Sequence, residues 1–549
     1  MKYVPNIAKA MAVSLVSLST APVLAETPAN ALVIAQNIDD IVTIDPASAY
    51  EFSSGEYVTN TYDQLVQYDA ENTTVLAAGL AESWTIDAAA KTVTFKMRDG
   101  VSFTSGNPLR GADVVGSWKR VLVLQKAPAF ILENLGWTAE NIEEMVTADG
   151  NTVTVRWRGD FAPSFVLNVL AARPAAIVDF KTAMANEVDG DMGHAYLNKN
   201  SAGTGAFTLA RYVPGEMLML QANPNYWNGA PKIERVMIRH APEAATQRLL
   251  LESGDVDMAK NLTPDQVAGL AGNTDVKIET YPQTAVHWFS FNQKHEPLTN
   301  PALWEAARYL VDYNGMADSF LKGQMEVHQA FWPEGFPGAL TDTPFSYDPE
   351  KAKAILEEAG VDLPLSIELD VINAAPFTDM AASLQQTFAP AGINFEILPG
   401  TGAQVITKYR ARTHQGMLLY WGPDFMDPHS NAKAFAYNAD NSDDKYASTT
   451  TWRNAWMPPA EINKKTKIAL AEQNADKRDQ MYIELQQSMQ KEAPFVILFQ
   501  AVNLVSQFST ALPDNRRLLG SCERFETNTC AFNITPQIDS LPEQPRAFG

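Results

Sequence analysis

The chain has 549 residues, too many for one hydrophobic core, and its 46% hydrophobic and 19% charged content excludes disorder and collagen-like repeats. Its 64 acidic residues outnumber the 42 basic ones, for a net charge of -22. Such a surface repels nucleic-acid phosphates and anionic lipid faces, and suits cationic or zwitterionic partners.

The N-terminus reads as an export signal. Lys2 and Lys9 accompany the small apolar run from Ala10 to Leu18, and Val23-Leu24-Ala25 offers the small residues a signal peptidase accepts, so cleavage is expected after Ala25. Ser14, Ser17, Ser19 and Thr20 break the apolar run well short of the ~20 residues of a membrane span. The residue right after the expected cut is Glu26 and not a cysteine, so no lipid anchor is expected. The mature product is then soluble and exported.

Further along, apolar residues alternate at Val93, Phe95 and Met97, at Val153, Val155 and Trp157, and at Ile393, Phe395 and Ile397, which predicts half-buried strands. Asn300-Pro301 opens a helix that places Leu303, Ala306, Ala307 and Leu310 on one face. Asp348-Pro349 opens another, with Ala352, Ile355, Leu356 and Ala359 as its stripe and Gly360 as its left-handed stop. From Leu384 to Ile397 a helix, a Gly-Ile step and an alternating strand follow one another, which is α/β grammar. Met417 to Trp421 reads as a buried strand ending in the turn Gly422-Pro423-Asp424. No repeat or long linker separates these segments, so the domains are expected to interleave. The only cysteines, Cys522 and Cys530, lie eight apart in a polar loop and can close a small disulfide in an oxidising compartment.

Catalytic motifs are missing. There is no G-x-S-x-G elbow and no phosphate-loop lysine. His295-Glu296 runs into Pro297 where a zinc helix would have to continue, and Gly203-Thr204-Gly205 lacks the third glycine of a dinucleotide loop. The run Asp440, Asp443, Asp444 lacks the ordered spacing of a calcium loop and reads as solvated. The seven histidines never pair at helical ligand spacing, so neither a metal nor a cofactor is expected.

An ordered set of phrases carries a family resemblance. Leu80-Ala81-Glu82-Ser83-Trp84, the strand to Met97, Arg98-Asp99-Gly100-Val101-x-Phe103, Gly106-x-Pro108 and Asp113-Val114-Val115 come first in this set. Asp45-Pro46-Ala47 precedes them, and Gly203-Thr204-Gly205-Ala206-Phe207, Asn223-Pro224-Asn225-Tyr226-Trp227, Phe291-Asn292 and Trp421-x-x-Asp424 follow. Together they resemble the family 5 extracellular solute-binding proteins, the peptide and nickel receptors of bacterial ABC importers. Each phrase also has a plain structural reading: Arg98-Asp99-Gly100 as a tight turn, and Asn223 to Trp227 as a turn whose aromatic rings pack on their lobe.

The resemblance implies a two-lobed α/β periplasmic binding protein, with a mixed sheet in each lobe joined by a hinge and an extra subdomain in lobe I. The expected boundaries are residues 1–25 for the signal peptide, 26–285 for lobe I with its subdomain at about 75–200, 286–505 for lobe II, and 506–549 for the return to lobe I. It implies a monomeric binder, not an enzyme, that closes on a di- or oligopeptide and delivers it to the permease subunits of an ABC transporter. The Asp of W-x-x-D holds the ligand ammonium in peptide-binding relatives, which makes Asp424 the expected anchor beside Trp421; a turn or capping role for Asp424 is the alternative, though Asp427 suits capping better. Tyr50, Glu51 and Phe52 fall where relatives line the cleft. Arg410 and Arg412 are candidates for a ligand carboxylate, set against plain surface solvation. Tyr420 replaces the glycine usual before this Trp, and its phenol is expected to fill or reshape the pocket. That change and the 11 tryptophans keep open a non-peptide guest on the same scaffold: an opine, an oligosaccharide or a nickel chelate.

Overall fold

The computed structural model describes residues 30–68, 76–161, 163–260, 262–282, 284–444, 449–501 and 503–509. The expected signal peptide and the pair Cys522 and Cys530 lie outside the described residues.

Two large mixed sheets organise the chain. In the first, seven strands run in the order Val276–Pro282, Asn503–Ser509, Met258–Ala259, Ala31–Gln36, Arg235–His240, Met217–Ala222 and Phe207–Val213. In the second, six strands run in the order Met325–Val327, Phe495–Ala501, Val286–Phe291, Gly416–Trp421, Leu365–Ile372 and Ile393–Gly400. The chain therefore passes from the first sheet to the second after Pro282 and returns after Ala501. A separate four-stranded antiparallel sheet, built from 81–87, 92–97, 152–156 and 146–149, lies within the first crossing's upstream segment.

The predicted local elements form for the expected reasons. Thr92–Met97 pairs on both sides, and its Val93 and Phe95 are fully buried opposite Val155 and Val153. Asn300 caps Pro301–Tyr309 through Ala302 N at 3.0 Å, and Asp348 caps Pro349–Glu358 through Lys351 N at 3.0 Å. Ala352 and Leu356 are buried as expected, but Ala359 is exposed, because the helix leaves the core with its last turn. Gly360 takes a φ of 63°, the left-handed stop predicted for it. Among the described residues no helix is long and apolar enough to cross a membrane.

Several of the sequence phrases meet at one buried carboxylate. Asp63 accepts hydrogen bonds from Thr204 Oγ1 at 2.6 Å, Tyr226 Oη at 3.1 Å and Trp227 Nε1 at 3.0 Å. Gly203 and Gly205 press on the Thr61 backbone so closely that a Cβ would stand 2.0 Å and 2.4 Å from it, which explains the Gly-Thr-Gly spacing. Asp45 is likewise consumed structurally, by Arg120 at 2.8 Å and His194 at 2.7 Å.

Candidate ligand-binding cleft

The parallel strands aim their carboxyl ends at a common space, which in open α/β sheets is where ligands bind. Ala31–Gln36 ends there and continues into Asn37–Asp40; Leu365–Ile372 ends there and leads to the Phe377–Phe388 helix; Gly416–Trp421 ends there in the Gly422-Pro423-Asp424 turn. The Phe52–Thr61 helix presents its first turn from the opposite side, where Ser53 N donates to Asp40 Oδ2 at 3.1 Å.

Two cavities occupy this space. The smaller, of about 70 Å³, is bounded by Tyr50, Arg173, Tyr409, Trp421, Asp424 and Arg453. Asp424 is 6% exposed, and Tyr50 donates its hydroxyl to Oδ2 at 3.3 Å. Burial pushes its carboxyl up to about 7, although Arg173, the Tyr50 hydroxyl and Arg453 all pull the other way. Asp424 has no ion-pair contact of its own among the described residues. Its backbone N donates to Ser430 Oγ at 2.8 Å, while the capping work falls to Asp427, whose Oδ1 accepts from His429 N at 2.9 Å and from Arg478 at 2.7 Å.

Arg173 is the other unmatched charge. Its Nη1 is buried without a hydrogen-bond partner, and burial draws its guanidinium below the ordinary arginine value. It passes so close to the Phe52–Thr61 helix that a Cβ on Gly55 would lie 1.9 Å from Nη1. Arg453 sits in a ring of aromatics, 5.3 Å from the Tyr409 centroid and 5.8 Å from that of Tyr50.

The larger cavity, of about 430 Å³, is lined from both sheets by residues such as Gln36, Asp40, Lys260, His287 and Phe377. Phe52 and Tyr420 line both cavities and stack on each other, with centroids 4.9 Å apart and planes inclined by 16°. Tyr420 also lies over His287 at 5.8 Å and Phe377 at 5.5 Å. The phenol at this position thus fills the cleft and divides it in two. Gly422 makes the stack possible, since a Cβ there would meet the Phe52 ring at 2.9 Å.

The two arginines expected at a ligand carboxylate are engaged elsewhere. Arg410 pairs with Glu51, so this pair joins the helix Gly402–Arg410 beside the second sheet to the segment before Phe52 beside the first. Arg412 lines neither cavity: it binds Asp443 at 2.8 Å and Asn441 Oδ1 at 2.9 Å, and lies 4.3 Å from the Trp452 ring centroid. Asp443 also takes Lys294 at 2.6 Å, so the acidic run is a salt-bridged loop. Near the Glu51–Arg410 pair, Ala403 N donates to the Asp39 carbonyl at 2.7 Å, which makes this a tight contact between the two halves.

Arg173, Arg453, Asp39 and Asp40 were missed in the sequence. Arg173 had a signal, a lone arginine inside the apolar stretch from Phe165 to Val178. Asp39 and Asp40 had one too, two adjacent acids three and four residues past a strand's carboxyl end. No group of three or more His, Cys, Asp or Glu that could hold a metal ion occurs among the described residues.

Residues 75–443 match the family described as bacterial extracellular solute-binding proteins, family 5 Middle. The chain belongs to this family. It is 28% identical to the probable D,D-dipeptide-binding periplasmic protein DdpA of Escherichia coli K12, covering 87% of this chain and 89% of that one. It is 26% identical to the dipeptide-binding protein of the same organism, covering 80% and 83%. Its fold matches that of the ABC transporter-associated periplasmic binding protein DppA from Helicobacter pylori in complex with peptide STSA, with a TM-score of 0.77 and 21% identity over 87% of this chain and 94% of that one. Like other family 5 solute-binding proteins it is a two-lobed α/β binder rather than an enzyme, and it works outside the cytoplasm.

Proposed function

We propose that this family 5 protein captures short peptides by closing its two lobes and hands them to the permease subunits of an ABC importer, acting as a monomer. One observation carries the reading: a small cavity between the lobes holds a buried carboxylate, Asp424, and a buried guanidinium, Arg173, neither of them fully compensated. A zwitterion supplies the missing partner to each, because an ammonium offsets the desolvation of Asp424 and a carboxylate that of Arg173. Trp421 and Tyr50 wall this cell, while Phe52 and Tyr420 border it. The lobe boundaries proposed are those where the chain changes sheet, between Pro282 and Val286 and between Ala501 and Asn503, close to the expected 285 and 505. Cleavage after Ala25 and a Cys522–Cys530 disulfide complete the exported form.

A thermal-shift screen over dipeptides, longer peptides, opines, sugars and nickel tests this reading, since a ligand held by the folded protein alone raises its melting temperature. Dipeptides are expected to give the largest rise. A rise with sugars, opines or nickel and none with peptides overturns it.

Two substitutions follow from the geometry. Gly55→Ala is expected to displace the Arg173 guanidinium and weaken dipeptide binding by about 1.4 kcal/mol, roughly tenfold, with an unchanged circular-dichroism spectrum. Tyr420→Gly is expected to merge the two cavities. Calorimetry should then show tri- and tetrapeptides gaining affinity relative to dipeptides, and an unchanged ranking would mean the ring stack does not set guest length.

A further inference from the structure

The larger cavity has a charge balance of its own, and the ammonium and carboxylate contacts of the smaller cell leave it unexplained. Four carboxylates line it, those of Asp39, Asp40, Asp265 and Asp379. Its one lysine, Lys260, is already neutralised: both Glu56 carboxylate oxygens lie 3.0 Å from Nζ, in a pair that is buried on both sides. Its histidine contributes no charge, because burial pushes His287 down to about 3. The space between the lobes on this side of the Phe52–Tyr420 stack is therefore acidic and lacks a free cation of its own among the described lining residues.

Asp40 shows that the cavity is built for more than solvent. It is only 7% exposed, its Oδ2 is held by Ser53 N at 3.1 Å, and its Oδ1 has no hydrogen-bond partner. Asp39 stands beside it at the contact between the lobes, and burial above all, with Glu51 and Asp39 adding to it, pushes the Asp40 carboxyl up to about 7. A buried carboxylate with an empty acceptor beside a second acid is stabilised most by a cation that arrives with the guest. The volume of about 430 Å³ lies within the usual range for small-molecule sites, and Phe377, Tyr420 and Met325 provide apolar walls suited to an alkyl stem.

We infer that the larger cavity is a subsite for a basic side chain, so that the preferred guest is a short peptide carrying lysine, ornithine or arginine, with its methylenes along the Phe52–Tyr420 stack and its charge against Asp39 and Asp40. This rests on the peptide reading above and specifies which peptides. The overall charge of -22 acts in the same direction by drawing cationic guests toward the cleft.

Calorimetry on the full-length exported protein, freed of endogenous ligand, tests this with Ala-Lys, Lys-Ala, their norleucine counterparts and Ala-Glu at neutral pH and physiological salt. Norleucine keeps the lysine stem and removes the charge. One of the two lysine peptides is expected to bind at least about tenfold more tightly than its norleucine counterpart, and Ala-Glu more weakly than either. Asp40→Asn, which keeps an acceptor for the Ser53 amide, combined with Asp39→Asn, should bring the lysine-to-norleucine ratio close to one. Equal affinity for lysine and norleucine peptides in the wild type, or a preference that survives the double substitution, overturns the subsite and leaves the peptide function standing. Failure of every peptide to bind overturns both.

Discussion

Asp424→Asn is expected to weaken dipeptide binding by about 3 kcal/mol, roughly a hundredfold in Kd, while the ligand-free protein melts no lower than wild type. The two halves of this result have one cause. Asp424 is buried and held up at about 7 by desolvation, so in the ligand-free protein above neutral pH its charge is a cost that asparagine removes. With an ammonium present, the same charge becomes the strongest attraction in the cell, and asparagine can replace only its hydrogen-bonding part. A drop in melting temperature together with unchanged affinity would make Asp424 a structural residue.

The pH dependence has a definite sign. Binding an ammonium requires the carboxylate, which the ligand-free protein loses below about pH 7, so dipeptide affinity should fall by up to about tenfold per unit below that point. The Asn variant should show no such slope. Stability runs in the opposite sense. The folded carboxyl holds its proton up to about 7, whereas the reference value is 3.8, so across that window the folded state binds the proton more tightly than the unfolded chain. Ligand-free stability contributed by this group is present at the acid end and is lost as pH rises through 7. Melting curves at pH 5 and pH 8, with and without Asp424→Asn, check both signs.

Arg410→Met is expected to shift the protein toward an open form, by about 3 kcal/mol or more, because it strands Glu51 whenever the lobes meet. Glu51 is 7% exposed, and its Oε2 has no hydrogen-bond partner even with Arg410 in place, so the carboxylate depends on that guanidinium. Opening rehydrates it. Small-angle scattering of the variant at a dipeptide concentration that closes the wild type should show a larger radius of gyration, with a weaker Kd by calorimetry. Adding Glu51→Gln should recover part of the loss, since removing both charges costs less than stranding one. Identical scattering and affinity for wild type and Arg410→Met would end the view of this pair as a latch.

How far the site was legible depended on how local each signal was. Asp424 and Trp421 were found because a strand and its turn place them together within four residues, and because the phrase they form resembles a family signature. Tyr50, Glu51 and Phe52 were located as a region, but their separate contacts were not readable: one touches the Asp424 carboxylate, one pairs with Arg410 and one stacks on Tyr420. Arg410 and Arg412 show the opposite failure. Both have the chemistry for a carboxylate, and only their surroundings show that one is spent on Glu51 and the other on Asp443.

The sequence by itself determined several helices and strands with their caps and stops, the α/β class, the family, the place of Asp424 at the end of its strand and the disturbing effect of a phenol at 420. These rest on residues close together in the chain, whose hydrogen bonds and periodicities do not depend on the rest of the molecule. Tertiary structure alone decided that the cleft is divided, that Arg173 shares a cavity with Asp424, that the larger side is acidic, and that Glu51 closes on Arg410. Tyr50 meets Asp424 across 374 residues and Arg410 meets Glu51 across 359. Contacts of that separation arise only when two sheets bring their strand ends together, so burial and charge balance there are properties of the assembled lobes and not of any segment.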